Sequence, residues 1–259
     1  MKKFAVCFKG GFAKGAGSIG MVRFLQEEGL KPTVFSGSSA GSMISAAYAL
    51  NMQWDEILTG FKSTRVMDLI DIRNILQFKS LISTRNLKRA LIKFGGEEIA
   101  DLKIEDMPNQ FVALASNLKT ESLEYITEGK LINALMYSSG YPGLIEKPNK
   151  YLIDGDILFD YSNNFFKHKG AEVVIGCRFD LNKKLYKSTN PIKVFIDTYR
   201  LVQYKFYNLS NVAHKADYEI VYDASKVGFT DLEHCDYLVD KVYNYLKKHK
   251  KEFYTILGE

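Results

Sequence analysis

The feature that most constrains this 259-residue chain is a strand, a glycine-containing turn and a helix, a pattern that occurs twice in the first 50 residues. Phe4 to Phe8 is a short apolar run, typical of a strand buried on both faces, and the glycine-rich loop 10–20 leads from it into a helical pattern. Thr33 to Phe35 predicts a second strand, which ends at Ser36-Gly37 before a run of small, helix-forming residues. Strands that alternate with helices indicate an α/β fold with a mostly parallel sheet flanked by helices.

The rest of the chain continues this alternation, apart from one long insertion. The segment from about 54 to 94 has a helical pattern throughout, with Ser83 or Thr84 as the N-cap of its last helix, and we interpret it as an inserted helical cap. No repeat or linker divides the chain, so we predict a single domain over residues 1–259. The later strands are predicted at Gln110–Ala115, Leu123–Thr127, Tyr151–Ile153, Glu172–Cys177 and Tyr218–Tyr222, and the later helices at Leu131–Tyr137 and around 191–206 and 235–250.

Composition excludes several classes of protein. Hydrophobic residues make up 46% of the chain and charged residues 25%, as in soluble globular proteins, and the net charge of +5 is too small to indicate nucleic-acid binding, although it is compatible with attraction to anionic lipid. The three cysteines and four histidines form neither a disulfide framework nor a metal-binding pattern, so we expect no metal. The N-terminus lacks the apolar stretch of a signal peptide and no run is long enough to span a membrane, which favours a cytoplasmic protein, either free or peripheral at membranes.

The turn after the second strand matches the G-x-S-x-G pattern of a nucleophile elbow, with Ser39 between Gly37 and Gly41. An apolar strand precedes the pattern and a small-residue helix follows it, which is the setting that such an elbow requires. The glycines permit a sharp turn and a close approach of the helix, and the free N–H groups at the helix N-terminus stabilise developing negative charge. Ser39 is therefore a candidate nucleophile.

The first glycine-rich loop supplies candidate donors for an oxyanion hole. The amides of Gly10, Gly11 and Phe12 come at the end of the first strand, and they lie beside the elbow if the two strands are neighbours. The amide of Ala40 is expected to complete the hole. Lys14 adds a positive charge nearby, which would suit a phosphate head group of the substrate.

The same loop contains a second pattern, because residues 15–20 read G-x-G-x-x-G, the fingerprint of dinucleotide-binding folds. Six residues separate the strand from Gly15, and the second strand ends without the acidic residue that would bind the ribose. Both observations argue against a nucleotide, so we expect no cofactor. The structural alternative is that Gly17 and Gly20 let the helix pack closely.

A serine nucleophile needs a base, and the sequence offers two kinds. An α/β-hydrolase requires a histidine as its base. His168, His214 or His234 could be proposed for this role, but none stands in an informative context. Asp154 lies at a strand-to-turn transition beside Gly155. An aspartate has a reference pKa about 2.6 units below that of histidine, and burial can raise it by about 3–5 units. Asp154 is thus a feasible base only in a dry site.

Three motifs in this order resemble those of the patatin-like phospholipases. That family has a G-G-G-x-[KR]-G loop, a G-x-S-x-G elbow and a D-G-[GA] turn, which correspond to residues 10–15, to residues 37–41 and to Asp154-Gly155. The small-residue segment 138–144 is also similar, and the resemblance covers at least residues 4–178. Phe12 replaces the third glycine of the loop, and Asp156 stands where the turn has Gly or Ala.

The resemblance implies a three-layer, Rossmann-like fold and a Ser–Asp dyad that hydrolyses lipid acyl esters without metal or histidine. In that case Ser39 is the nucleophile, Asp154 is the base, and Lys14 stands where the family has Lys or Arg. The glycines that belong to these motifs are Gly15, Gly37, Gly41 and Gly155. Phe12 is expected to reshape the oxyanion loop. If Asp156 is buried together with Asp154, the two carboxyls are expected to raise one another's pKa; the alternative is that Asp156 faces water.

The resulting hypothesis is a serine acyl hydrolase that acts on phospholipids, lysophospholipids or similar fatty-acyl esters at a lipid or membrane surface. The cap, with its many apolar residues, is expected to form an acyl-chain channel or an interfacial lid. The alternatives are a catalytically silent lipid-binding or regulatory protein of the same fold, in which Phe12 blocks the hole, and an esterase that depends on histidine. No nucleic acid or nucleotide is expected as a partner.

Overall fold

A seven-stranded sheet forms the centre of the protein, whose computed structural model describes residues 1–180 and 191–259. The strand order is β4-β3-β2-β1-β6-β7, and β5 pairs with β3 outside this path. Neighbours among β3, β2, β1, β6 and β7 are parallel, whereas β4 and β5 run antiparallel to β3. The strands are β1 Phe4–Phe8, β2 Val34–Ser38, β3 Gln110–Asn117, β4 Ser122–Ile126, β5 Leu152–Asp154, β6 Val173–Phe179 and β7 Tyr218–Tyr222.

Helices cover both faces of this sheet and produce three layers. The side chains of Phe4, Val6 and Phe8 on β1 point into one core, together with α1, α2 and α10, while Ala5 and Cys7 point into a second core on the opposite face. The helices are α1 Gly17–Glu27, α2 Ala40–Ala49, α3 Trp54–Ser63, α4 Val66–Leu69, α5 Ile72–Leu76, α6 Thr84–Gly95, α7 Leu131–Ser139, α8 Asn163–His168, α9 Pro191–Ala213, α10 Asp236–Lys248 and α11 Lys250–Ile256. The predicted three-layer α/β fold with a mostly parallel sheet is confirmed.

Most predicted strands and helices are confirmed, with small differences at their ends. Strand β2 extends to Ser38, one residue beyond the predicted end at Ser36-Gly37, because its parallel pairing with β3 continues to the elbow. Helix α9 continues to Ala213, seven residues past the predicted end. The single-domain assignment stays a prediction, and it includes residues 181–190, which lie outside the described part of the chain.

The prediction that 54–94 is helical throughout is wrong in its middle part. Four helices, α3 to α6, occupy most of this segment, but residues 77–83 are not helical. There Ile82 forms isolated β-bridges with Ile70 and with Ile145, which ties the segment to the chain before β5. β-branched residues favour such extended pairing over a helix. Helix α6 begins as predicted, with the Ser83 hydroxyl accepting a hydrogen bond from the N–H of Asn86 at 3.2 Å.

The second and third glycines of the G-x-G-x-x-G pattern, Gly17 and Gly20, serve packing. A Cβ on Gly17 would lie 2.3 Å from the ring of Tyr222, and a Cβ on Gly20 would lie 2.1 Å from the carbonyl oxygen of Val239 in α10. Both contacts are far inside van der Waals distance, so only glycine allows α1 to approach β7 and α10 this closely. This confirms the structural alternative stated for Gly17 and Gly20.

No helix in residues 1–180 and 191–259 combines the length and the apolar character that crossing a membrane would need.

Candidate active site

Ser39 occupies a strained turn between β2 and α2. Its φ of 51° and ψ of −127° are unusual for a residue with a side chain, and such strain is typical of functional sites. The Ser39 N–H donates to Ser138 in α7, with the hydroxyl oxygen 2.9 Å away. A Cβ on Gly37 would lie 2.5 Å from the backbone of Gly41, and a Cβ on Gly41 would lie 2.2 Å from the carbonyl oxygen of Phe8. The two motif glycines therefore permit the turn, as the sequence predicted.

Asp154 lies close to Ser39 because β5 pairs with β3 directly after the point where β2 ends. Strand β2 pairs with β3 as far as Leu114, and Asp154 then pairs with the next residue, Ala115. The turn at Gly155 passes over this edge so closely that a Cβ there would lie 2.2 Å from the carbonyl oxygen of Leu114. The sheet thus brings together two residues that are far apart in the sequence.

The carboxyl of Asp154 is almost completely buried, with 1% of the residue exposed. Burial, assisted by the negative charge of Asp156, raises its pKa to about 8, against the opposing effect of a hydrogen bond with the Ser39 side chain. The same carboxyl accepts a hydrogen bond from the N–H of Asp156 at 2.8 Å, which holds it at the start of the turn. At neutral pH this carboxyl is therefore mostly protonated, and its ionised form has a higher proton affinity than an ordinary aspartate.

Asp156 forms a second carboxylate site behind Ser39. Its carboxylate accepts a hydrogen bond from the N–H of Gly10 at 3.1 Å and another from the hydroxyl of Ser38. The ammonium of Lys9 lies 3.5 Å from it, and the two side chains are only 5% and 10% exposed. Of the two alternatives stated for Asp156, the structure supports burial beside Asp154, and the charge of Asp156 raises the pKa of Asp154.

Lys9 is a site residue that the sequence analysis missed. Lys9 is only 4% exposed. Besides its contact with Asp156, its ammonium lies 4.4 Å from the ring centre of Phe159. Burial lowers the pKa of Lys9, whereas the charge of Asp156 raises it. The sequence feature that could have indicated Lys9 is its position directly after the apolar run Phe4 to Phe8. A charge next to a buried strand needs a partner of opposite charge.

The predicted oxyanion loop lies against the elbow. A Cβ on Gly10 would be 2.5 Å from the Cβ of Ser39, so the loop can approach the serine only with glycine at this position. Gly11 has a φ of 123° and Phe12 a φ of 53°, so Phe12 adopts a positive φ without being glycine. Its ring stacks on Phe229 at 5.6 Å between centroids, which stabilises this conformation.

The amides of this loop differ in their partners. The N–H of Gly10 is bound by Asp156, whereas no hydrogen bond within the described chain engages the N–H groups of Gly11 and Phe12. Lys14 is buried, and its ammonium donates to the carbonyl of Ala224 at 3.0 Å. The contact of Lys14 with a phosphate head group therefore stays a prediction, as does the role of each amide in an oxyanion hole. Gly15 makes only ordinary contacts with Gly10 and Ala40.

An apolar cavity of about 60 Å³ opens beside the serine. Its walls come from the oxyanion loop, the elbow and the cap: Phe12, Ser39, Ala40, Met43, Phe61, Thr64, Leu69, Ile82, Leu87, Ala90, Leu91, Phe94, Ser139, Ile145 and Leu232. The cap therefore covers Ser39 with apolar side chains, which limits the access of water.

The histidines of the alternative hypothesis make other contacts. The ring of His168 bonds to the carbonyl of Asn164 at 2.7 Å, and the ring of His234 bonds to the carboxylate of Asp231 at 2.8 Å. Neither they nor His214 line the cavity beside Ser39. Outside residues 181–190, the side chains of His, Cys, Asp and Glu form no group that could hold a metal ion.

Comparisons with known proteins agree with this geometry. A family model described as patatin-like phospholipase matches residues 6–162, which is more than half of the chain and includes Ser39 and Asp154. The chain belongs to the patatin-like phospholipase family.

Its relatives are distant and much longer. The rat patatin-like phospholipase domain-containing protein 7 is 25% identical over 176 residues, which cover 66% of this chain and 13% of the relative. The lysophospholipase NTE1 of Chaetomium globosum is 25% identical over 181 residues, which cover 67% of this chain and 12% of that protein. The crystal structure of VipD from Legionella pneumophila is similar with a TM-score of 0.51 and 12% identity, covering 98% of this chain and 77% of VipD. That last likeness concerns the fold alone.

Proposed function

We propose that this protein hydrolyses fatty-acyl esters of phospholipids, lysophospholipids or related lipids, with Ser39 as nucleophile and Asp154 as general base. The observation that carries the proposal is a serine on a strained elbow beside a buried carboxyl whose pKa is raised to about 8. Membership of the patatin-like phospholipase family supports lipid hydrolysis in general. The names of the distant relatives include a lysophospholipase, which supports the choice of substrate class.

The proposed reaction has two stages. Asp154 accepts the proton of the Ser39 hydroxyl as the serine oxygen attacks the ester carbonyl, and the alcohol leaves with that proton, so that an acyl-enzyme remains. Water then attacks the acyl group while Asp154 accepts its proton, and the free fatty acid departs as the proton returns to Ser39. Burial of Asp154 supports this role, because it brings the proton affinity of an aspartate close to that of a histidine.

The oxyanion of each stage needs hydrogen-bond donors, and the amides of Gly11, Phe12 and Ala40 are the ones we propose. Loss of one such donor typically costs about 2.7–4 kcal/mol of transition-state stabilisation. The N–H of Gly10 serves a different purpose here, since it already binds Asp156. Phe12 and Ala40 line the same cavity as Ser39, which supports their assignment.

The acyl chain is proposed to occupy the cavity between the elbow and the cap. Apolar side chains from α3, α4 and α6 line it, including Phe61, Leu69 and Leu91. Its volume of about 60 Å³ corresponds to only a few water molecules, so a long acyl chain requires the cap to move outward. This movement fits a cap made of short helices rather than one continuous helix.

A silent lipid-binding protein of the same fold is the second candidate. Two departures from the family motifs favour this candidate. The carboxylate of Asp156 accepts the hydrogen bond of the Gly10 N–H, and Phe12 stands in place of a glycine. Both changes affect the loop that would bind the oxyanion. Neither change removes Ser39 or Asp154, and for that reason we prefer the enzyme.

Product analysis with a mixed lipid extract tests the proposal. The purified protein is expected to release free fatty acid, and the Ser39→Ala and Asp154→Asn variants are expected to release at least a hundredfold less, with unchanged circular dichroism. Ser42→Ala is a matched control, since Ser42 lies in the helix that begins directly after Ser39 and its hydroxyl donates only to the carbonyl of Ser39. Equal turnover by wild type and Ser39→Ala would eliminate the proposed nucleophile. Lipid binding without turnover by wild type would favour the silent protein.

A further inference from the structure

The outer side of the cap has an unusual distribution of apolar side chains. Helix α5 and the chain around it leave six large apolar residues in contact with solvent, and Phe78 is 99% exposed at a positive φ of 54°. These residues, here called the cap patch, are Met67, Ile72, Ile75, Leu76, Phe78 and Leu81, with exposed fractions from 39% to 99%. Scattered apolar residues are common on surfaces, but a group of this size within 15 residues of sequence indicates an interaction site.

Three polar residues of this segment are buried, although the apolar residues of the patch are exposed. Asp71, Asn74 and Ser80 are 7–8% exposed. The carboxylate of Asp71 accepts the N–H of Arg73 at 3.0 Å, and the Asn74 amide donates to the Ser80 hydroxyl at 3.0 Å. The Ser80 hydroxyl in turn donates to a backbone carbonyl. A helix on a water-exposed surface has the opposite arrangement, with apolar residues inward. The hydrogen bonds of Asp71, Asn74 and Ser80 hold these polar side chains in the interior. The apolar side chains of the patch therefore stay on the surface.

The part of the chain that contains the cap patch is rich in positive charge. Residues 62–93 contain eight lysines and arginines and only two aspartates, a net charge of +6, whereas the whole chain has +5. Three of these cations, Lys62, Arg65 and Arg85, form salt bridges. The other five form none within the described chain, and two of them, Arg73 and Lys79, alternate with the exposed apolar residues. Apolar side chains among unpaired cations match the acyl chains and the anionic head groups of a lipid surface.

The same segment forms part of the candidate active site. Leu69 and Ile82, which lie near the two ends of the stretch that contains the cap patch, line the cavity beside Ser39. A surface bound to the cap patch therefore lies on the outer side of the element whose inner side faces the acyl cavity. Movement of α4 on a lipid surface would act directly on the wall of that cavity through Leu69.

We propose that the cap patch, with Arg73 and Lys79, is a docking surface for an anionic lipid bilayer. The choice of lipid as the partner rests on the proposed function, but docking itself requires no turnover. It differs from substrate binding in the cavity, because none of the six residues of the patch lines that cavity.

Co-sedimentation with vesicles tests docking in the Ser39→Ala variant of the full chain, which removes hydrolysis from the measurement. Vesicles of phosphatidylcholine with phosphatidylserine are expected to bind the protein at least tenfold more tightly than vesicles of phosphatidylcholine alone. Phe78→Asp is expected to weaken this binding more than tenfold. Arg73→Gln and Lys79→Gln are expected to weaken it about fivefold each, an effect that high salt removes. Leu118→Asp, a change at a 54% exposed leucine between β3 and β4, is the control and is expected to bind normally.

Three outcomes would overturn the docking surface. They are an absence of vesicle binding by folded protein, equal binding by Phe78→Asp and its parent, and a stable dimer in light scattering that Phe78→Asp dissociates. The last outcome would assign the patch to a second copy of the chain. Hydrolysis of a soluble short-chain ester, measured with Ser39 intact, separates this question from the proposed function. Phe78→Asp should leave that hydrolysis unchanged, whereas a protein without esterase activity refutes the enzyme and leaves docking to be decided by the vesicles.

Discussion

At the scale of single residues, the proposed reaction depends most on the proton affinity of Asp154. The base must be ionised to accept the proton of Ser39, and its pKa is raised to about 8 by burial and by Asp156. We therefore expect kcat/KM for a soluble ester to increase with pH and to level off above about pH 8. A pH–rate profile measures this directly. A plateau that begins near pH 5 would mean that Asp154 keeps an ordinary pKa and is not the base in the proposed sense.

Two neighbouring charges give a matched pair of variants. Asp156→Asn removes the negative charge that raises the pKa of Asp154, and its amide oxygen can still accept from the N–H of Gly10. Lys9→Met removes a positive charge that lowers the same pKa. The midpoint of the pH–rate profile is expected to shift to lower pH in Asp156→Asn and to higher pH in Lys9→Met. Thermal melts identify variants that are merely unfolded, and shifts in the same direction in both would contradict the electrostatic explanation.

At the scale of structural elements, the close contacts at the elbow determine where Ser39 lies. A Cβ on Gly41 would be 2.2 Å from a backbone oxygen of β1, which cannot move without disturbing the central strand, whereas a Cβ on Gly15 would be 3.4 Å from its nearest neighbour. Gly41→Ala is therefore expected to lower the free energy of unfolding by about 2 kcal/mol or more, and Gly15→Ala by less than about 1 kcal/mol. Urea denaturation measures both, and equal values would show that α2 packs less tightly against β1 than described.

The cap is the element for which the sequence was least informative. Its apolar residues predicted helices, and α3 and α6 follow that pattern with Ile57, Phe61, Leu87 and Leu91 buried. Between them, residues 77–83 leave the helix to pair with Ile145, a contact with a residue more than 60 positions away. Local periodicity carries no information about such pairing, and it also does not show that the apolar side of α5 faces outward.

At the scale of the whole molecule, much of the fold and site could be predicted because both depend on short patterns. The buried strands are continuous apolar runs, and the elbow and the Asp154-Gly155 turn have recognisable sequences. The meeting of Ser39 with Asp154 depends instead on strand order, which the resemblance implied and the residues alone did not. The ion pair of Lys9 with Asp156 was not predicted, since it joins residues separated by 147 positions.

The buried carboxyl also affects the stability of the whole protein. Asp154 binds its proton more tightly in the folded state than in the unfolded state, because its pKa is raised from 3.8 to about 8. Its contribution to stability is therefore intact at acidic pH and is lost as the pH rises towards 8. In Asp154→Asn the side chain does not titrate, so this pH-dependent decrease in stability is absent. The free energy of unfolding of the variant is therefore expected to increase relative to wild type as the pH rises from 5 to 8. Chemical denaturation at several pH values measures the difference, and a constant difference would show that the carboxyl is not buried as described.

Covalent labelling with a fluorophosphonate probe tests whether Ser39 is a nucleophile that Asp154 activates. The serine oxygen displaces fluoride from phosphorus, and the adduct remains on the nucleophile, where peptide mass spectrometry locates it. The account predicts a single adduct on Ser39 that forms faster as the pH rises towards 8 and forms far more slowly in Asp154→Asn. An adduct on another residue, or folded protein that stays unlabelled while Asp154 is ionised, would contradict it.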